Sequence, residues 1–534
     1  MKASFALATL MPLAVAACSA ATDGVPPRAS ADAGAEASTE AAAPPTEPPG
    51  VQWGTCAVPS DGEVYDAECA SIDMPARRSV PGSGTVPVAL YRVRSPKQPA
   101  TKQLWMLNGG PGGSGAQIVP YGDMLARSFA EGVDVYLVDH RGTGESSFME
   151  CPKAELTAAS TLEFGKRCSD EVRAALGDKA DGFSTTESAS DVRDLIKMMR
   201  APNQKVIVYG VSYGSYWAHR LMQLPDVAVD GVVTEGNCLG ETCGFDTPQQ
   251  FRTDEVMKSV LDACKEDADC TAHLGADPWE FAKDTIALLA GGHCSTAKFA
   301  SRPLGDVVFE IGPMWPQGTL PLLYRLKRCN AADVVALDKF QKKLAEMTGE
   351  GFSMKRRRRI GAPPKVDESH AESGVLGAHV IASELISRPA PSKADLALRV
   401  GALTFKADAD VGNEMYDGWK PYPRDGYVGK WATTSVPWLV LQGDFDFQTV
   451  YSLSQEALKH ITADKLQFVR VPGGNHSVVF DDQTCARQMM EAFVANPAAK
   501  VDASCTATFA AKRAALDPDY VTYFMGTNDP WGTP

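Results

Sequence analysis

The chain has 534 residues, 44% hydrophobic and 22% charged, a globular composition with length for two or three folding units. Its 66 acidic residues outnumber 52 basic ones for a formal net charge of −14, which argues against a nucleic-acid-binding surface of clustered Lys and Arg. The one basic run, 355–359, is expected to be a solvated loop.

At the start, Lys2 precedes an apolar stretch over 5–15 that is too short to span a membrane and ends in Val15-Ala16-Ala17-Cys18. This resembles the bacterial lipoprotein box. The resemblance implies a signal peptide over 1–17, removal of that segment, and a lipid on Cys18 that makes the envelope membrane a partner. A plain secretory signal with a coincidental cysteine is the alternative, and both imply export. Residues 18–50 are Ala, Pro, Glu, Thr and Ser with almost no large apolar side chains, so they are expected to form a disordered tether.

Past residue 50 the pattern is that of a parallel sheet. An alternating strand at 86–94 is followed by short apolar runs at 104–107, 133–138, 206–209 and 231–234, the signature of strands covered on both faces. Between two of them Val192, Leu195, Ile196 and Met199 mark a helix, preceded by a capping-box pattern from Ser184 to Glu187. Strand–helix alternation implies an α/β sheet with right-handed crossovers. From 241 to 432 the period is mostly helical, and strands return at 437–442 and 466–471. The expected organisation is a first core part over 51–240, a largely helical cap over 241–432 and a second core part over 433–534. The cap is expected above the carboxyl edge of the sheet, where such folds bind ligands.

Thirteen cysteines less Cys18 leave twelve, an even number that favours disulfides in an exported chain. Cys56 with Cys69, Cys151 with Cys168, Cys264 with Cys270 and Cys485 with Cys505 are plausible local pairs. Cys238, Cys243, Cys294 and Cys329 stay unassigned. None sits in a zinc-ligand spacing, and no metal or organic cofactor is implied.

The strand at 206–209 runs into Gly210-Val211-Ser212-Tyr213-Gly214 and then into a helical pattern. That context is a nucleophile elbow, in which glycines permit the sharp turn that exposes a serine. The strand at 104–107 ends in Asn108-Gly109-Gly110-Pro111-Gly112-Gly113-Ser114-Gly115, a loop of accessible backbone N–H groups suited to an oxyanion. A phosphate cradle is the competing reading; it lacks the following Lys-Ser or Lys-Thr, and Pro111 removes a donor. A base and an orienting acid are expected after late strands. His476 lies in the turn Pro472-Gly473-Gly474-Asn475-His476-Ser477, while Asp444 and Asp446 both follow the 437–442 strand.

Together, Asn-Gly-Gly-Pro-Gly, Asp139-His140-Arg141-Gly142-Thr143-Gly144-Glu145-Ser146, Gly-Val-Ser-Tyr-Gly and Gly-Gly-Asn-His resemble the proline iminopeptidase and tripeptidyl aminopeptidase family, nearer its secreted tripeptidyl branch. The likeness spans roughly 51–240 and 431–510. It implies an α/β-hydrolase fold, a mostly parallel sheet with helices on both faces and a helical cap insertion. It also implies a serine aminopeptidase acting on peptide substrates with free amino termini. The family's Gly-x-x-Asp-x-x-Thr-Pro pattern matches Gly443, Asp446 and Thr449, which selects Asp446; Val450 stands in place of the proline. By the same resemblance the oxyanion donors are the N–H groups of Gly110 and Tyr213. Family members hold the substrate amine with carboxylates near the cap, for which Glu235, Asp246 and Glu384 are the candidates. The rival readings are a carboxylesterase or lipase on the same triad and a non-catalytic lipoprotein binding module.

Overall fold

A computed structural model of the chain describes residues 50–60, 63–244, 252–297, 302–347, 366–406, 413–480 and 484–532. The signal peptide, Cys18, the tether up to residue 49, Asp246 and the basic run all lie outside these.

Nine strands form one sheet: β1 (Gly54–Ser60), β2 (Glu63–Pro75), β3 (Thr85–Val93), β4 (Lys102–Leu107), β5 (Val133–Val138), β6 (Lys205–Val211), β7 (Gly231–Glu235), β8 (Trp438–Gly443) and β9 (Leu466–Val471). Their order is β1-β2-β3-β5-β4-β6-β7-β8-β9, antiparallel from β1 to β5 and parallel from β5 to β9. The β1–β2 hairpin has no counterpart in the sequence reading. β2 is polar and largely solvent-facing along its length, so it carries no buried-strand signature; the Cys56–Cys69 disulfide ties it to β1.

Helices cover both faces. On one side α1 (Val119–Ser128) supplies Leu125 and α10 (Thr484–Ala495) supplies Met489, Met490 and Phe493, packed on Leu104, Met106, Ile207 and Leu441. On the other, α2 (Thr185–Met199) and α3 (Tyr213–Gln223) pack on Trp105, Leu107, Val208 and Val440. Adjacent residues of one strand thus enter opposite cores, as the two-residue period of a strand requires. The stripe Val192, Leu195, Ile196 and Met199 is the buried face of α2. At its start Ser184 accepts from Glu187 N–H (3.3 Å), but the Glu187 carboxylate accepts from Arg78 N–H (2.7 Å), so the capping box is only half made.

Between β7 and β8 lie α4 (Thr253–Lys265), α5 (Leu304–Ile311), α6 (Thr319–Arg328), α7 (Ala331–Met347) and α8 (Gly374–Val380). The first four build a third core around Val260, Leu261, Val308, Leu323 and Phe340. That core also takes Phe445, Phe447 and Leu453, the last from α9 (Tyr451–Leu458), and Phe524 and Met525 of α11 (Pro518–Met525). Two features depart from the expected boundaries. The C-terminal helix belongs to the insertion, because its apolar face fits α7, and Asp529 and Pro530 carbonyls accept from the buried Arg325 guanidinium. Conversely, Leu376 of α8 and the later Ile381, Leu385 and Trp419 are buried in the sheet-side core.

All four expected cysteine pairs are joined, and Cys238–Cys243 and Cys294–Cys329 complete six disulfides. Among the described residues no helix is long and apolar enough to cross a membrane.

Candidate active site

Ser212 stands between β6 and α3 with φ 56° and ψ −129°, a backbone conformation L-residues rarely adopt. The tightness of the turn explains its glycines: a Cβ on Gly210 would lie 2.3 Å from Gly214 O, and one on Gly214 would lie 2.0 Å from Leu107 O. Ser212 N–H extends the ladder by donating to Glu235 O (3.1 Å). The glycine loop after β4 comes against the serine side chain, so closely that a Cβ on Gly109 would sit 3.3 Å from Ser212 Oγ.

His476 is held from two sides. His476 Nδ1 lies 3.1 and 3.0 Å from Asp446 Oδ1 and Oδ2. Its ring rests on Gly236, where φ is +52° and a Cβ would meet His476 Cε1 at 3.0 Å. Nε2 is buried and has no hydrogen-bond partner among the described residues, and His476 is only 4% exposed. With Nδ1 committed to a carboxylate, Nε2 is the nitrogen left to accept a proton. Gly236→Ala is therefore expected to push the imidazole off its seat and lower kcat about 10²-fold with a smaller change in KM, checked by steady-state kinetics on the folded variant.

Asp446 is fully buried. Burial opposes its charge, but His476, Thr449 Oγ1 (2.6 Å) and the N–H groups of Gln448 and Thr449 (both 2.8 Å) outweigh it and hold the carboxyl below the usual aspartate range. Asp444, the other residue at this strand end, points elsewhere. It pairs with Arg470 and Arg513 and accepts from Gly473 N–H (2.6 Å), bracing the turn that carries His476.

Tyr213 is the first residue of α3, so its N–H is one of the helix's unpaired first-turn donors at the positive end of the dipole. Gly110, with φ +117°, sits at the head of the glycine loop. Among the described residues nothing accepts from either N–H. The loop is strapped from outside by the insertion: Ser114 N–H donates to Ala371 O and Ser373 N–H to Gly112 O (both 2.9 Å), and Glu372 bridges Gly113.

The residues offered for amine recognition are engaged otherwise. Glu235 is buried and accepts from the Tyr209 hydroxyl and from Val479 N–H (2.7 Å), which joins the Ser212 strand to the histidine loop. Glu384, on the π-helical turn Ile381–Leu385, accepts from Arg220 Nη2 (3.0 Å), Tyr216 OH (3.0 Å), Tyr422 OH (2.6 Å) and Thr185 N–H (3.1 Å). Burial works against its charge, yet Arg220 and these donors keep it below the ordinary glutamate range. The four donors on Glu384 fill its two oxygens and leave none to spare for a substrate, while Glu235 is committed to bonds between β6 and the histidine loop. Asp139 likewise serves structure, accepting from Gly115 N–H (2.7 Å), Tyr91 OH (2.9 Å) and Glu145 N–H (2.8 Å) to tie the glycine loop to β3.

Two segments match family models: residues 104–258 that of the alpha/beta hydrolase fold, and residues 405–505 that of TAP-like proteins. The chain thus has the α/β-hydrolase fold, with a TAP-like segment that holds Asp446 and His476. Among solved structures it is similar to a proline iminopeptidase of Mycobacterium smegmatis, at 14% identity over 80% of this chain and 98% of that one, with a TM-score of 0.36. It is also similar to an esterase of Exiguobacterium antarcticum, at 12% identity over 77% and 97% with a TM-score of 0.32. No curated protein matches it.

Proposed function

We propose that the chain is an exported serine hydrolase working through Ser212, His476 and Asp446, and that its substrates are peptides with free amino termini. One observation carries the catalytic reading: an imidazole fixed through Nδ1 by a buried carboxylate rests on Gly236, the residue after Glu235, whose carbonyl accepts from the N–H of Ser212 in the strained elbow conformation. In this reading His476 takes the Ser212 proton as Oγ attacks the scissile carbonyl, and Asp446 stabilises the imidazolium. The oxyanion falls to the N–H groups of Gly110 and Tyr213, where losing one donor typically costs about 10²–10³ in kcat. Protonated His476 then gives its proton to the departing amine, and water, activated by the same imidazole, clears the acyl-enzyme.

The peptidase part rests on the TAP-like match and on the motifs shared with tripeptidyl and prolyl aminopeptidases. Export is supported by six disulfides, which persist in oxidising compartments. Lipid attachment at Cys18 remains part of the proposal and follows from the sequence pattern around it.

A fluorophosphonate probe is expected to label wild type at Ser212 and to leave Ser212→Ala unlabelled; an unlabelled wild type would remove the hydrolase reading. Substrate class is decided by comparing tripeptidyl anilides, with the amine free or acetylated, against short acyl esters. Hydrolysis indifferent to acetylation would make the chain an esterase or a different peptidase.

A further inference from the structure

We infer that Gln442 is a positioning residue of the triad: its side-chain amide sets Asp446 against His476 and ties the acid to the turn on which the imidazole rests. The inference depends on the triad reading above and adds a residue to it.

Gln442 is fully buried at the penultimate position of β8, four residues before Asp446. Its Oε1 accepts from Asn237 N–H (2.9 Å), Asn237 Nδ2 (3.0 Å) and Ser454 Oγ (2.8 Å). Its Nε2 donates to Asp446 Oδ2 (3.0 Å) and to Thr449 O (2.7 Å). The amide has one sensible orientation. Turned over, it would set its NH₂ against three donors and its oxygen against a carboxylate and a carbonyl. Asn237 is fixed in the same manner, since its Nδ2 also donates to Leu441 O (2.8 Å).

These bonds join three elements at the triad. Asn237 follows Gly236, the seat of the His476 ring, so Gln442 reaches the floor under the base through one arm. Through the other it supplies Asp446 Oδ2 with a donor. Ser454, on α9, holds the amide from behind. A carboxylate needs donors on all sides to stay charged and still in a dry interior, and at Oδ2 Gln442 adds its amide to Thr449 Oγ1 and His476 Nδ1.

The chemistry requires a donor at this position, which gives a test. Gln442→Glu keeps the shape and the oxygen facing Asn237 and Ser454. Its second oxygen then faces Asp446 Oδ2 and Thr449 O, both acceptors, so the new carboxyl keeps its proton and donates it as the amide does. In the full-length protein, with a tripeptidyl anilide or p-nitrophenyl acetate as the probe, Gln442→Glu is expected to keep kcat within about tenfold of wild type at neutral pH. KM should stay within two-fold. Gln442→Met, which removes the donor without adding charge, is expected to lower kcat about 10–100-fold at similar KM. A role in stability alone would lower the melting temperature and leave the kcat of the folded protein unchanged, and wild-type kcat in folded Gln442→Met would overturn the inference. If that variant does not fold, Ser454→Ala, which withdraws one donor from the amide, should lower kcat several-fold; wild-type kcat in folded Ser454→Ala would overturn it equally. Wild type that neither turns over a probe nor takes the fluorophosphonate label would instead overturn the triad reading, and Gln442 with it.

Discussion

Asp446→Asn is expected to lower kcat by about 10⁴-fold while the protein stays folded and KM stays near that of wild type. Asparagine fills the same volume and keeps an oxygen for the N–H groups of Gln448 and Thr449. What changes is the face turned to His476. An amide NH₂ there donates to Nδ1, which moves the ring proton to Nε2 and leaves no base for the serine. The charge that stabilises the imidazolium is lost as well. Because the effect is on tautomer and charge, it should appear in kcat, with fluorophosphonate labelling slowed in parallel. A fall of less than tenfold would mean that another group orients His476.

Glu384→Gln is expected to destabilise the protein by about 3–5 kcal/mol, the usual result of removing one partner from a buried ion pair. The Arg220 guanidinium is as deeply buried as its partner, and among the described residues Glu384 is the one carboxylate at hydrogen-bond distance from it. Tyr216 and Tyr422 would each face a weaker acceptor or a competing donor. Urea unfolding followed by tryptophan fluorescence measures the loss. The double variant Arg220→Met with Glu384→Leu should recover most of it, since an apolar pair of similar size avoids desolvating two charges. Kinetics distinguish this from amine recognition: folded Glu384→Gln should keep its KM for a free-amine tripeptidyl anilide. A rise in KM of tenfold or more, with stability unchanged, would return Glu384 to the substrate site.

Patterns that are local in the chain translated into structure most directly. The apolar runs at 104–107, 133–138 and 206–209 became parallel strands because burial on both faces leaves a continuous signature. The elbow, the glycine loop and the histidine turn were visible for a similar reason: each is a short backbone device whose glycines are dictated by close approach. Asp446 could be preferred to Asp444 only through a resemblance, since both sit at workable distances from the strand. The structure separates them by partners far off in sequence, His476 for one and Arg470 with Arg513 for the other. The same cause hid the rest. Glu235 and Glu384 looked available because nothing adjacent reveals Tyr209, Val479 or Arg220 closing on them. Gln442 carries no signal in the sequence because an amide in an apolar strand has no motif; its meaning depends on Asn237 and Ser454 arriving from two other elements.

Phe445, Asp446 and Phe447 alternate like a strand: the acid turns inward to His476, and both rings enter the core of the helical insertion. The helical insertion is therefore fastened, through the two sequence neighbours of Asp446, to the carboxylate that meets His476. In the proposed reading, any change that refills the seat of either ring bears on where that carboxylate stands, so the shape of the insertion and the alignment of the acid are inherited together.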